Sequence, residues 1–200
     1  MDCSMCILAP KMIECAHHPN VQLLAYSELK EVRGSAGNFT VKVLKKPRYV
    51  DETKCTGCGI CTEHCPSEVP NEFDVNLGMR KAIYMPFPQA VPRVMTVDKE
   101  NCINCGLCEK VCGAKAVDLD QRAEEIELGV GSIILATGFD LFDPSGLPAY
   151  GYGRFKDVIT SLELERLLCA SGPTGGHLVR PSDGKIPKSV AFIQCVGSRD

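Results

Sequence analysis

Two short runs of cysteines constrain this chain more than any other feature. Each run has the spacing C-x2-C-x2-C-x3-C, and the second run repeats the first 47 positions later, from Cys55 to Cys102. The repeat continues into the flanks, where Val50-Asp51 matches Val97-Asp98 and Gly59 matches Gly106. An internal repeat of this kind predicts two half-units that pack as pseudo-symmetric mates. The two runs comprise Cys55, Cys58, Cys61 and Cys65, and Cys102, Cys105, Cys108 and Cys112.

The spacing within each run indicates iron–sulfur ligation. Three thiolates two residues apart can wrap one loop around three corners of a cubane. The fourth cysteine begins a helix that points away from that cluster and therefore reaches the other one, as in two-cluster bacterial ferredoxins. We predict two 4Fe–4S clusters with crossed ligands. One is held by Cys55, Cys58, Cys61 and Cys112, and the other by Cys102, Cys105, Cys108 and Cys65.

The alternative metal is zinc. Structural zinc typically uses two CxxC pairs separated by a dozen or more residues, whereas each run here places four cysteines between positions 55 and 65 or 102 and 112. The 13 cysteines of the chain are an odd number, so they cannot all pair as disulfides. Clustered thiols in a reducing compartment are more typical of metal ligands.

Composition and charge exclude several other classes of function. A net charge of −3, with 6% aromatic residues and no Trp, argues against nucleic-acid binding. No apolar run approaches the ~18 residues of a membrane span, and the N-terminus lacks the basic and apolar regions of a signal peptide. We therefore expect a cytoplasmic protein without a membrane span.

The regions around the cysteine runs predict strands of a different domain. Alternation with period two predicts a strand over Asn38–Leu44, and Val21–Tyr26 is also strand-like. Gly34–Gly37 between them indicates a turn. Further strands are predicted downstream in three apolar stretches: Ile126–Leu128, Ser132–Leu135 and Ser189–Gln194.

The remaining segments predict a helix, a loop and a strap. Thr160-x-x-Glu163 is a capping-box pattern that would open a helix through Leu168. Residues 171–188 are rich in Gly and Pro and predict a loop. The proline-rich stretch Met85–Pro92 fits either a docking segment for a partner or, as we prefer, a strap packed on its own module.

The sequence as a whole resembles the A subunit of heterodisulfide reductase. The resemblance covers essentially the entire chain and a middle portion of the family's length. The phrases that carry it are Asp2-Cys3-Ser4-Met5-Cys6, Pro10-Lys11-Met12, His18-Pro19-Asn20, Gly37-Asn38-Phe39, Arg80 to Pro92, Ala136-Thr137-Gly138-Phe139 and Phe192 to Asp200.

The resemblance implies an α+β architecture in which a ferredoxin-like module is inserted into part of a thioredoxin reductase-like, FAD/NAD-type α/β domain. The corresponding domains are 1–46 (flavoprotein-like), 47–121 (ferredoxin-like) and 122–200 (flavoprotein-like, truncated). It also implies that Ala136, Thr137 and Gly138 approach FAD. The glycine-rich pyrophosphate loop expected upstream is absent, so we expect a fragment that binds FAD only with its missing flanking regions.

The resemblance further implies electron transfer in a cytoplasmic complex that reduces the mixed disulfide of coenzymes M and B. Its partners would be other heterodisulfide reductase subunits, a hydrogenase or formate dehydrogenase module, and ferredoxin. Disulfide cleavage belongs to another polypeptide of the complex in that family, so no catalytic residue is assigned here. The alternatives are a diffusible two-cluster carrier, and an equivalent subunit of a quinone- or sulfur-linked complex in a sulfate reducer.

The other cysteines have competing interpretations. Cys3, Cys6 and Cys15 could serve a further cluster or form a redox thiol pair, but we prefer the interpretation that they are buried or loop thiols without a ligand role. Cys169 lies in an apolar helical stretch, which predicts that its thiol is part of the core. Cys195 is a strand-end thiol by sequence alone, and only the resemblance promotes it to a cluster ligand.

Overall fold

The structure is a computed structural model that describes residues 4–198, and it divides into two compact units. The first unit contains the residues up to Pro70 together with Met79–Ile134. The second unit contains Asn71–Gly78 and the residues from Leu135 onwards. The predicted domains 1–46, 47–121 and 122–200 assign each segment to a type of fold. The two compact units do not test that assignment, so it stays a prediction.

The cysteine repeat of the first unit has the predicted pseudo-symmetry. Its buried core contains Val50 and Val97, the residues that start the two halves. Val97 pairs with Ile83, and Val50 forms an antiparallel bridge with Val117. The first strand of each half therefore pairs with the last strand of the other half. The elements of the repeat are α2 (Ile60–Glu63), β3 (Glu68–Pro70), β4 (Met79–Lys81), β5 (Ile83–Tyr84), β6 (Thr96–Val97) and α3 (Leu107–Val111).

A three-stranded antiparallel sheet completes the first unit. It has the order β1-β2-β7, with β1 at Ser27–Ser35, β2 at Asn38–Lys45 and β7 at Glu124–Val130. The β1–β2 pairing ends at Ser35 opposite Asn38, which leaves a two-residue turn whose Gly37 has a φ of 89°. A two-residue hairpin turn favours residues that tolerate positive φ. The strands predicted around Asn38–Leu44 and Ile126–Leu128 are confirmed.

Three other strand predictions are wrong. Val21–Tyr26 precedes β1 and forms no strand, although the N–H of Lys46 donates to the carbonyl of Tyr26 over 3.0 Å. Neither Ser132–Leu135 nor Ser189–Gln194 forms a strand. A strand exists only where its backbone groups pair with a neighbour, and no segment among residues 4–198 pairs with these two apolar stretches. Their large side chains are consequently open to solvent, as at Ile134, which is 89% exposed.

Helix α1 (Ser4–His17) was not predicted from the sequence. It contains Pro10, which removes one helix hydrogen bond and normally indicates a break. Met85, the first residue of the proline-rich stretch, packs against the buried core of the repeat, and the strap predicted for the whole stretch stays a prediction. No helix within residues 4–198 has both the length and the apolar character needed to cross a membrane.

The second unit is built around α4 (Ser161–Leu168). The predicted capping box is confirmed: the Thr160 hydroxyl accepts the backbone N–H of Glu163, and the Glu163 carboxylate accepts that of Thr160. Cys169 is buried directly after the helix, as expected for a core thiol. Residues 171–188 contain turns and no helix or strand, so the predicted loop is confirmed.

Candidate metal centres

Each cysteine run is shaped by a glycine in the left-handed region. Gly59 (φ 85°) and Gly106 (φ 70°) cap the N-termini of α2 and α3. Such a turn suits glycine because it has no Cβ. The turn places the third cysteine of each run on the first turn of a helix and directs it into the core. Cys61 is accordingly 7% exposed and Cys108 is 9% exposed.

In the second half, the structure brings together four cysteine thiols from both runs. Cys65 lines the same cavity as Cys102, Cys105 and Cys108. The walls between these thiols are apolar, since Ala82, Ile83 and Val97 also line the cavity. Four thiols in an apolar recess are the donor set that 4Fe–4S clusters use. The residues present therefore fit the group that the sequence predicts.

In the first half, Cys55, Cys58 and Cys61 are close enough for their charges to interact. Cys112 and Cys55 both pack against the buried core that contains Cys61. The Sγ atom of Cys112 accepts the backbone N–H of Ala116 over 3.3 Å. Cys65 and Cys102 pack against the same core, so the inclusion of Cys112 in this donor set stays a prediction.

Within residues 4–198, no three Cys, His, Asp or Glu side chains converge on a point that could hold a single metal ion. A cubane makes no such demand, because each of its four thiolates binds a different iron.

Backbone N–H groups of the second half donate to one cysteine sulfur of each predicted cluster. The N–H of Asn104 donates to Sγ of Cys102 over 3.4 Å, which parallels the bond from Ala116 to Cys112. Hydrogen bonds to cluster sulfurs are one of the determinants of reduction potential. His64, the residue before Cys65, has its Nδ1 2.9 Å from the carbonyl oxygen of Ile60.

Burial raises the pKa of the Cys61 thiol to about 11 and also raises the pKa of Cys108. Both thiols are therefore neutral at pH 7 in the metal-free chain. A thiol must lose its proton to become a ligand. Metal uptake at these two positions consequently releases protons.

Two equivalent aspartates anchor the entrances to the cysteine loops. The N–H of Asp51 donates to the carbonyl of Ala116, and the N–H of Asp98 donates to that of Ala82, both over 2.7 Å. Hydrogen bonds from Thr53 and Lys54 hold the pKa of the Asp51 carboxyl well below its usual range. The Asp98 carboxylate accepts hydrogen bonds from Asn101 and forms an ion pair with Arg80.

A further equivalence between the two runs was not predicted from the sequence. Gly57 (φ 64°) and Asn104 (φ 52°) occupy matching positions, one residue before the second cysteine of each run. Asn is among the non-glycine residues that best tolerate this region. The equivalence of Gly57 and Asn104 could have been recognised from the tolerance of both residues for positive φ, although the residues themselves differ.

The remaining candidate residues lie apart from these centres. Ala136, Thr137 and Gly138 are in the second unit, outside any helix or strand, and their contact with FAD stays a prediction. Cys195 is exposed. Cys3, Asp2, Arg199 and Asp200 lie outside the described residues.

Cys6 and Cys15 are neither buried nor in a loop, contrary to the simpler interpretation. Both lie on α1 and are exposed. Nine positions separate them, which at 3.6 residues per turn places them on opposite sides of the helix. They cannot converge on one cluster from that helix without a rearrangement.

Paired four-cysteine loops around a pseudo-symmetric core define a two-cluster ferredoxin-type module. In agreement, the family model described as "4Fe-4S dicluster domain" matches residues 54–117. The chain belongs to the family formed by the A subunits of heterodisulfide reductases, as relatives with high identity along its whole length show.

Three of these relatives illustrate the match. The chain is 67% identical to the second iron-sulfur A subunit of the CoB–CoM heterodisulfide reductase of Methanopyrus kandleri, and 62% identical to the corresponding iron-sulfur A subunit of Methanocaldococcus jannaschii. It is 52% identical to the A subunit of the ferredoxin:CoB–CoM heterodisulfide reductase of Methanosarcina mazei. Each match covers 100% of this chain, but only 30%, 30% and 25% of the respective relative. The chain therefore spans less than a third of their length.

Proposed function

We propose that this chain conducts single electrons through two 4Fe–4S clusters within a heterodisulfide reductase. The ligand sets are Cys55, Cys58, Cys61 and Cys112 for the first cluster, and Cys102, Cys105, Cys108 and Cys65 for the second. The cavity that joins Cys65 to the cysteines of the second run is the observation that carries the proposal. It supports the crossed arrangement, since a fourth ligand from the same run would leave Cys65 without a role in that cavity.

When bound, each cluster supplies reversible storage of one electron. The chain contributes the thiolates, and the N–H groups of Asn104 and Ala116 stabilise negative charge on two of them. The apolar walls at Ala82, Ile83 and Val97 keep water away from one face of the second site. Burial in a low dielectric and hydrogen bonds to sulfur are the means by which a protein sets cluster potential.

The names of the relatives support the wider assignment. They include an H(2):CoB-CoM heterodisulfide,ferredoxin reductase of Methanothermobacter marburgensis and an H(2)/formate:CoB-CoM heterodisulfide,ferredoxin reductase of Methanococcus maripaludis. We propose that this chain serves a complex of the same type, which reduces the disulfide of coenzymes M and B. Its partners are then other subunits of the reductase, a hydrogenase or formate dehydrogenase module, and ferredoxin. No residue here is assigned to disulfide cleavage.

We further propose that the segments around the cluster module belong to a thioredoxin reductase-like fold. In that fold Ala136, Thr137 and Gly138 approach FAD once sequence outside these 200 residues is present. The support is the sequence resemblance, together with the apolar, unpaired segments around Ile134 and Phe192, which have the composition of buried strands.

Metal and sulfide analysis after anaerobic reconstitution tests the cluster proposal. The chain alone should bind about eight irons and eight sulfides, and no flavin. A colourless, zinc-loaded protein would contradict the proposal. Co-purification tests the wider assignment. The chain should be recovered together with other subunits of a heterodisulfide reductase, whereas a diffusible carrier would be recovered alone.

Pairs of cysteine variants test the crossed ligation. Cys65→Ser with Cys102→Ser removes two ligands from one cluster, so about four irons should remain. Cys65→Ser with Cys55→Ser removes one ligand from each cluster, so both should be lost or weakened. The reverse pattern would show that each run holds its own cluster.

A further inference from the structure

The two halves of the cysteine repeat differ by one added segment. Ala82 and Ala116 are equivalent, because each accepts the N–H of the aspartate that starts the opposite half. Ala116 follows Cys112 by 4 positions, whereas Ala82 follows Cys65 by 17, so the first half contains 13 additional residues. The added residues lie within the stretch formed by β3, the segment Asn71–Gly78 and β4, and we call Asn71–Gly78 the excursion.

The base of the excursion is fixed beside the second cluster cavity. The hydroxyl of Ser67 donates to the carbonyl of Asn101 over 2.7 Å. Ser67 follows Cys65 by two residues and Asn101 directly precedes Cys102, so the bond joins two ligand segments of the same cavity. At the end of the added segment, Arg80 forms a largely buried ion pair with Asp98 over 2.8 Å.

The tip of the excursion belongs to the second unit and supplies its buried ion pair. Asp74, 7% exposed, accepts Nε and Nη2 of Arg166 on α4 at 2.9 and 2.8 Å. Its other carboxylate oxygen accepts Nδ2 of Asn71 over 2.7 Å. The guanidinium of Arg166, which is 3% exposed, also lies 4.6 Å from the ring centre of Phe73. A buried guanidinium needs its carboxylate partner, because an uncompensated buried charge is strongly unfavourable.

We propose that the excursion couples occupancy of the second cluster to the folding of the second unit, with Asp74 as the positioning residue for Arg166. The inference rests on the crossed ligation proposed above. A cluster bound by Cys65 and Cys102 fixes both ligand segments and, through Ser67, the base of β3. The N–H of Asn71 donates to the carbonyl of Gly78 over 2.9 Å, so a fixed base also fixes both ends of the excursion.

The coupling is entropic in origin. A loop whose ends are already held has fewer conformations to lose when Asp74 meets Arg166. A ligand that binds only the folded state stabilises whatever folds with it. The first cluster has no equivalent route, because the second half of the repeat returns from Cys112 to Ala116 in four positions.

Hydrogen exchange on α4 in the 200-residue chain, purified without oxygen, tests the coupling. The variants are Cys65→Ser and its matched control Cys112→Ser, each of which removes one ligand from one cluster. We expect α4 to exchange at least tenfold faster in Cys65→Ser, and within threefold of the wild type in Cys112→Ser. Equal effects in two variants that have each lost about four irons overturn the coupling alone. Iron contents that contradict the crossed ligand sets overturn the proposed ligation, and the coupling with it.

Deletion of the excursion provides a second test that does not depend on cysteine variants. Removal of residues 72–77 joins Asn71 to Gly78, and Asn-Gly is a favoured two-residue turn between paired strands such as β3 and β4. This variant should keep about eight irons while α4 exchanges as fast as in Cys65→Ser. Unchanged exchange of α4 would overturn the proposal.

Arg180→Met is the control for nonspecific effects in the second unit. It removes an exposed ion pair, with Asp183. It should leave the exchange of α4 within threefold of the wild type. A tenfold acceleration in this control would show that α4 responds to any charge loss, and the proposal would fail.

Discussion

Ser67 and Asn101 connect the two cysteine runs directly, through a hydrogen bond of 2.7 Å from the hydroxyl to the backbone carbonyl. The bond lies where the chain leaving Cys65 meets the chain entering Cys102. Because these two cysteines line one cavity, the bond helps to hold the fourth ligand of the second site in place.

Ser67→Ala should therefore weaken the second cluster more than the first. Loss of one hydrogen bond costs about 1 kcal/mol, so chelators should remove one of the two clusters about fivefold faster. Chelator-induced loss of visible absorbance measures this, and a wild-type rate for both clusters would contradict the prediction. Thr53→Ala is the matched hydroxyl deletion beside the first loop, where Thr53 donates to Asp51.

Gly57→Ala should destabilise the first loop. A Cβ at Gly57 would lie 2.8 Å from the carbonyl oxygen of Arg93, and the backbone is in the left-handed region. We expect a cost of about 1–3 kcal/mol, seen as a lower thermal unfolding midpoint. Gly129→Ala is the control, because a Cβ there meets nothing within 4 Å. Equal midpoints for the two variants would refute the steric argument.

The Asp98 carboxylate should give a pH-dependent contribution to stability. Burial acts to raise its pKa, but the hydrogen bonds from Asn101 and Arg80 outweigh burial and lower the pKa overall. A lowered folded-state pKa gives stability that is present above the unfolded value, about 3.9, and is lost as pH falls through the folded pKa.

Asp98→Asn tests this sign directly. At pH 7 the variant should release its clusters faster than the wild type, because the buried Arg80 guanidinium loses its charged partner. The ratio of the two rates, measured by stopped-flow mixing, should approach one as pH falls below about 4. A ratio that stays constant to the lowest pH would show that the ionised form makes no contribution.

Thr160→Ala should loosen α4 from its N-terminus. It removes the side-chain oxygen that caps Glu163, at a cost of about 1 kcal/mol. Hydrogen exchange of the first helical turn should accelerate by roughly fivefold. Ser161→Ala, which leaves the capping box intact, should change the exchange by less than that. If both variants exchange alike, the capping bond does not stabilise the helix.

Features set by short-range sequence were predicted well. The cysteine spacing and the Thr160 capping box are both encoded within a few residues. Strand β2 was also recognised, since its side chains alternate with period two between the two faces of the sheet.

Features that depend on distant partners were not predicted. Asp74 and Arg166 are 92 positions apart, and nothing in either local sequence announces the ion pair. The strands predicted around Ile134 and Phe192 are wrong for the opposite reason. Their composition favours a strand, but a strand also needs a neighbour, and within residues 4–198 none pairs with them.

The innermost thiols of the two runs, Cys61 and Cys108, lie in one buried core. In so apolar a setting, charge is poorly screened. An electron held on one side of this core therefore opposes the arrival of another on the other side. With both proposed clusters bound, reduction of one site should make the other harder to reduce, which favours passing electrons singly over storing a pair.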